Sequence, residues 1–219
     1  VAVRRQRQMC IRDSSNTCYV ERMQEAFVHF QQNKKTDFLN EWSHIIFHLP
    51  YAFHGRRMIF NNWLNWIKND ITYKDLLAEI GQENDELFIK KAYKSNIYKN
   101  FIASKIAPGE KASSHIGNMY SASVFMSLLS MLNYHFDNNT EIKNQKVGFI
   151  SYGSGSKAKI FQGEIEANWK EKIKTSKLFE SLNKRKEISF DEYQDLHKSK
   201  KISPLSNHSI RFSHTDDST

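Results

Sequence analysis

Cysteine is scarce. Only Cys10 and Cys18 occur in 219 residues, too few for a disulfide framework, which sets aside small stapled secreted folds and fits a reducing, cytoplasmic setting. Long apolar runs are also missing. No stretch approaches the roughly 20 apolar residues needed to cross a bilayer, and even residues 124–132 are interrupted by serines. No apolar signal segment opens the chain, so membrane insertion is not expected. The sequence has no internal repeat, no heptad array and no recognised RNA- or DNA-reading motif. A phosphate loop is excluded because no glycine-rich stretch ends in Gly-Lys-Ser/Thr. A serine-hydrolase elbow fits poorly, because Tyr152, not glycine, precedes Gly153-Ser154.

What is present is 39% hydrophobic and 13% aromatic, enough to bury one sizeable core or a large piece of a bigger one. The formal net charge is +8, a balance compatible with nucleic acid, a membrane surface or small anionic ligands. Residues 1–13 hold four arginines and one aspartate, so they account for +3 and leave +5. With neither apolar period nor capping signal, they read as a disordered or non-native extension. Residues 14–198 read as the folded domain, and the serine-rich polar stretch 199–219 as an irregular tail. Lysines flanking the apolar segments are balanced by Asp and Glu, the pattern of solvated faces. No nucleic-acid or membrane partner is expected.

Periodicity predicts an amphipathic helix over 18–31, with Val20, Met23, Phe27 and Phe30 on one face, then a polar loop from Gln31 to Asp37. The run from Trp42 to Pro50 reads as a buried strand that delivers His48 to its end, where the proline stops it. Met58, Trp63 and Ile67 make a second helix, and 72–107 looks helical in pieces. Pro108-Gly109 marks a turn. Small and apolar residues from Ser121 to Tyr134 suit a closely packed helix. Val147 to Ser151 and Ala158 to Ile165 read as two strands within hairpin distance, and Ser189 as a cap before a charged helix. This order argues for a mixed α/β layer with a covered sheet.

Three segments carry a family resemblance: Ile46-Phe-His-Leu-Pro-Tyr51, Gly117-Asn-Met-Tyr-Ser-Ala-Ser123, and Phe149-Ile-Ser-Tyr-Gly-Ser-Gly155. Together, in that order, they resemble the C-terminal part of the 3-hydroxy-3-methylglutaryl-CoA synthases. Ser15-Asn-Thr-Cys-Tyr19 and Ile188-Ser-Phe-Asp-Glu-Tyr193 extend the similarity to roughly residues 14–197. The resemblance implies the later half of a thiolase-like layered αβαβα fold, with a mixed sheet covered by helices. It also implies a reaction in which acetyl-CoA acylates a cysteine and a glutamate removes a methyl proton. The carbanion then attacks acetoacetyl-CoA, and hydrolysis releases the product that feeds isoprenoid synthesis through mevalonate. Acyl-CoA substrates, no separate cofactor, no metal and a homodimeric complete enzyme are implied as well.

The residues themselves agree with the second-substrate side of that chemistry. Carbon–carbon bond formation turns a ketone oxygen into an alkoxide, so a fixed donor aimed at that oxygen stabilises the transition state more than the ground state. His48 is the candidate donor. A lone histidine in an apolar strand is ordinarily a hydrogen-bonded core residue, and the surrounding motif reverses that reading. Asn118 offers an amide donor and acceptor for an acyl thioester, just before a helix; its bland role is a turn or cap. Tyr152, Ser154 and Gly155 form a tight strand exit where backbone can approach a substrate closely. Arg56 and Arg57 are candidates for the coenzyme A phosphates, or a solvated basic face. The family commonly has a lysine five positions after the histidine, where this chain has Phe53.

Cys18, in Asn-Thr-Cys-Tyr-Val, superficially resembles the family's nucleophile setting, but Val20 and Glu21 stand where two glycines are needed. It reads as a packing residue, and Glu21 and Glu25 as surface charges. The nucleophile and general base are expected upstream of residue 1, leaving this chain inactive alone. Two alternatives remain open: a relative that performs β-branching on carrier-protein-bound polyketides, and a basic non-catalytic helical binding module.

Overall fold

The computed structural model of the chain describes residues 12–82, 87–153 and 156–198. Chain contacts divide it into two compact units, Val1–Phe179 and Glu180–Thr219. At the centre of the first lies a three-stranded sheet in the order β1 (Trp42–Phe47), β2 (Lys146–Gly153) and β3 (Lys157–Glu164). β1 runs parallel to β2, with Ile46 opposite Phe149 and Phe47 opposite Ile150. β2 and β3 form the antiparallel hairpin that their spacing predicts.

A parallel pair needs a crossover, and here it is entirely helical among the described residues. It comprises α2 (His54–Met58), α3 (Phe60–Ile67), α4 (Ile71–Ile80), α5 (Phe88–Lys94), α6 (Asn96–Lys105), α7 (Ala107–Ile116) and α8 (Ala122–Asp137). α1 (Arg12–Lys34) precedes the sheet; α9 (Trp169–Ile173) and α10 (Leu178–Asn183) follow it. In the second unit, α11 (Phe190–His197) begins at Ser189. That residue forms the predicted cap as a full capping box with Glu192.

Alternation along the strands builds two cores. Ile45, Phe47 and Ile150 face a cluster that includes Tyr19, Met23 and Phe27 of α1 and Trp63 and Ile67 of α3. Ile46 and Val147 point the other way, against Val124 and Met131 of α8 and Trp169 and Ile173 of α9. Trp42 shares the first core with Ile45 despite its parity, because the register shifts between Trp42 and His44 and one extra residue moves a side chain to the opposite face. Its ring lies across Gly148, where an added Cβ would sit 2.1 Å from Cε3. Its indole N–H donates to Gln162 Oε1 on β3 at 3.1 Å, so one side chain spans all three strands.

Four readings need correction. α1 continues through Gln31 to Lys34, so the loop starts later than predicted. Among the residues described from Thr17 onward, its buried stripe begins at Tyr19, with Val20 only half-buried. The helix read through Met58, Trp63 and Ile67 is two segments meeting at Ile59. Pro108-Gly109 is no turn between elements but the first turn of α7. Proline lacks only an N–H that a first turn leaves unpaired anyway, and at Gly109 a Cβ would stand 3.1 Å from the Ile46 side chain. Separately, α1 opens at Arg12, within the segment read as an extension; the serine-rich tail lies outside the described residues.

Candidate functional site

His48 is the first residue beyond β1, where Leu49 and Pro50 end the strand. Its backbone is held on two sides. The N–H donates to Ile150 O at 2.8 Å, prolonging the ladder by one residue, and the carbonyl accepts from the Tyr19 hydroxyl at 3.2 Å. The ring is held as well: Nδ1 lies 2.9 Å from Ser123 Oγ. That oxygen also accepts from Leu49 N–H at 3.0 Å, so Ser123, fully buried in the first turn of α8, fastens strand end and imidazole together. Burial lowers the ring's proton affinity, opposed by the backbone of Tyr120. The imidazole is therefore neutral at pH 7 and half-buried, able to present one N–H.

Ser123 and Tyr120 bring the segment carrying Asn118 to His48. Asn118 itself is exposed, and its Oδ1 accepts from Tyr120 N–H at 2.8 Å. That bond makes an Asx turn, which supports the Tyr120 backbone facing the imidazole. Tyr152, on β2, has its ring 6.4 Å from that of His48 and 4.6 Å from that of Tyr19. Ser154 and Gly155 lie outside the described residues. His48, the Asn118 turn and Tyr152 are thus drawn together by β1, α8 and β2.

Behind His48 sits His54, 1% exposed, its ring edge-on to Tyr19 at 4.7 Å and to Tyr51 at 4.5 Å. Neither of its nitrogens has a hydrogen-bond partner among the described residues. Burial, then the charges of His48 and Arg57, bring its pKa down to about 4.

The two arginines differ. Arg56 donates through Nε, at 2.9 Å, and Nη2 to Oε2 of Glu110 on α7. Its guanidinium also lies 4.5 Å from the Phe53 ring centroid, and its carbonyl accepts from the Tyr98 hydroxyl. It is engaged in the fold. Arg57 is exposed. Phe53, where the family has lysine, is a left-handed residue (φ 66°) capping α2.

The segments that gather here are the three named from sequence, and the wider comparison agrees with them. Residues 9–216 match the family model described as hydroxymethylglutaryl-coenzyme A synthase C terminal. The chain belongs to the hydroxymethylglutaryl-CoA synthase family. It is 25% identical over 193 residues to the hydroxymethylglutaryl-CoA synthase of Haloferax volcanii, covering 82% of this chain and 43% of the relative. With hydroxymethylglutaryl-CoA synthase A of Dictyostelium discoideum it shares 30% over 165 residues, 72% of this chain and 33% of the relative. The chain thus spans less than half the length of these curated relatives.

Among solved structures it superposes on MvaS in complex with 3-hydroxy-3-methylglutaryl coenzyme A with a TM-score of 0.64 at 22% identity. That match covers 86% of this chain and 44% of the other. For the curacin pathway HMG synthase in complex with acetyl donor-ACP the values are 0.62 and 20%, over 86% and 40%. The fold is that of the C-terminal portion of these thiolase-like α/β synthases.

Sequence reasoning on this synthase domain named His48 but missed what holds it. Ser123 lies within the second motif, but its helical neighbours give no sign that the hydroxyl points at an imidazole. For Tyr19 the available signal is its i+4 spacing to Met23, which puts it on the buried stripe. Cys18 is half-buried on α1, and Cys10 lies outside the described residues. Among the described residues no His, Cys, Asp and Glu cluster could hold a metal ion, and no helix is long and apolar enough to cross a membrane.

Proposed function

We propose that this domain supplies the acceptor side of the hydroxymethylglutaryl-CoA synthase pocket, where acetyl-CoA-derived carbanion and acetoacetyl-CoA condense to HMG-CoA for isoprenoid synthesis through mevalonate. The observation that carries the reading is the His48 clamp, formed by Ile150, Tyr19 and Ser123 at the mouth of β1. A Ser123 hydroxyl that accepts from Leu49 has its own proton to give. Donated to Nδ1, it leaves the imidazole proton on Nε2, directed at the ketone oxygen as that oxygen gains charge. Asn118 and the strand exit with Tyr152, Ser154 and Gly155 orient the thioester, and Arg57 meets a phosphate of coenzyme A.

The nucleophilic cysteine and base glutamate belong to a further part of the enzyme, so the 219-residue chain alone turns over no substrate. Exposed rings near the site support a covering surface: Tyr120 is 78% exposed and Phe125 72%. A cytoplasmic homodimer as the complete enzyme is part of the same reading.

The test joins this chain to a family half bearing the nucleophile, in one polypeptide, and measures HMG-CoA formation. His48→Ala is expected to lower kcat by about 10²–10³, the effect of removing one oxyanion donor, with the acyl-enzyme still formed. Undiminished turnover in that variant refutes the reading. The likeness to the curacin synthase supports a second reading, a carrier-protein substrate. A rate at least about tenfold higher on acyl carrier protein thioesters than on free coenzyme A thioesters selects it, reckoning tenfold as 1.4 kcal/mol.

A further inference from the structure

A cavity of about 690 Å³ lies between α1, the segment 35–40 and α3, within the roughly 300–1,000 Å³ of small-molecule sites. None of its lining residues belongs to the surroundings of His48 described above. Its walls are rich in amides: Gln24 and Gln31 from α1, Asn62 and Asn65 from α3, and Asn69 beyond it. Asn62 is only 4% exposed, yet its side-chain amide makes no hydrogen bond to any described residue. An amide that the fold leaves unbonded is open to whatever enters the cavity, and this one lines it. The floor is aromatic. Trp66 is half-buried over Phe27 at 5.3 Å and Phe38 at 5.1 Å. Its indole N–H likewise has no acceptor among the described residues.

Three charges stand at the rim, Lys35, Asp37 and Asp70. Asp37 accepts from the N–H groups of Leu39 and Asn40 and from the Asn40 amide. Asp70 caps α4 through Thr72. Those bonds hold both carboxyls below the ordinary range, so they stay ionised, and with two carboxylates to one lysine the rim disfavours an anion. Inside that rim the walls offer mainly neutral amides that donate and accept equally, beside an indole whose face suits C–H groups. An extended peptide fits less well, since helices and a loop, with no open strand edge, line the cavity.

We infer that this cavity binds a neutral, hydroxyl-rich ligand of saccharide type, its hydroxyls on Asn62, Asn65 and Gln24 and its C–H face on Trp66. Saturation-transfer NMR on the 219-residue chain, with maltose, cellobiose and lactose as probes, tests it. Transfer to the ring protons of at least one sugar is expected. Affinity should fall at least about tenfold in Asn62→Leu and in Trp66→Ala, the size of one lost buried hydrogen bond or stacking face, and less in Trp66→Phe. If Trp66→Ala fails to fold, Gln24→Ala, at an exposed position, should still weaken binding about threefold, as a lost solvent-exposed hydrogen bond does. Absence of transfer to all three sugars, unchanged transfer in the variants, or binding of tri-alanine in their place overturns the inference.

Discussion

Replacing Arg56 by methionine leaves Glu110 with no cation in a site where it is 2% exposed. One carboxylate oxygen, Oε1, is already without a partner among the described residues, and both bonds to Oε2 come from the guanidinium. Burial raises this carboxyl above its ordinary value of 4.5 even with Arg56 in place. Breaking a buried pair from one side costs about 3–5 kcal/mol, a large share of the roughly 5–15 kcal/mol that holds a domain together.

The loss depends on pH in a definite direction. A group whose folded pKa lies above its unfolded value favours the folded state below the unfolded pKa, and that contribution disappears as pH rises through the folded pKa. Arg56→Met raises the folded pKa further. The variant should therefore be least stable at pH 8 and recover as pH falls toward 5, with a limiting slope of about 1.4 kcal/mol per pH unit for one proton. Urea unfolding followed by tryptophan fluorescence at pH 5, 6, 7 and 8 measures this. Arg56→Met/Glu110→Leu should return most of the stability, whereas Arg57→Ala, at an exposed position, should change it by less than about 0.5 kcal/mol. A loss below about 1 kcal/mol at pH 7, or one indifferent to pH, refutes the reasoning, since even a weakly relaxed buried carboxylate exceeds it.

Gly148→Ala drives a methyl into the Trp42 indole and should cost about 3 kcal/mol, the upper range for overpacking. Pairing it with Trp42→Leu should recover part of that in a double-mutant cycle by urea unfolding. The rings of His44 on β1 and His135 on α8 lie 4.6 Å apart, tilted at 53°. Burial lowers both, with His44 brought to about 4 from 6.5. A base with a depressed folded pKa favours folding above its unfolded value, so the contribution is present above pH 6.5 and lost toward pH 4. His44→Gln should flatten the urea-midpoint profile across that window, by on the order of 2–3 kcal/mol. Ser123→Ala strips partners from His48 Nδ1 and Leu49 N–H and should cost about 1–3 kcal/mol; in the joined enzyme kcat should fall more than KM rises.

Much of the fold was legible because it rests on short-range rules. A β-rich run stopped by Pro50, a hairpin with glycine at its turn and a Ser-x-x-Glu cap each declare themselves within a few residues. Pro108-Gly109 misled for the opposite reason. Locally it spells a turn, and only the approach of Ile46 from β1 explains a glycine inside α7. In the site, His48 was visible through its motif. Its clamp was not, because Tyr19 and Ser123 lie 29 and 75 residues away and meet it only after the sheet forms. Arg56 could not be told from Arg57 by sequence, since the distinction is one buried glutamate on another helix.

The indole bridge from Trp42 to Gln162 joins residues 120 positions apart. Local helices and the β2–β3 hairpin can form early, whereas β1 must search across the whole helical crossover before it finds β2, a high-contact-order step that is slow by nature. On the ribosome, β1 waits unpaired until the hairpin has emerged. Its apolar residues are the stretch a chaperone would have to shield during that interval.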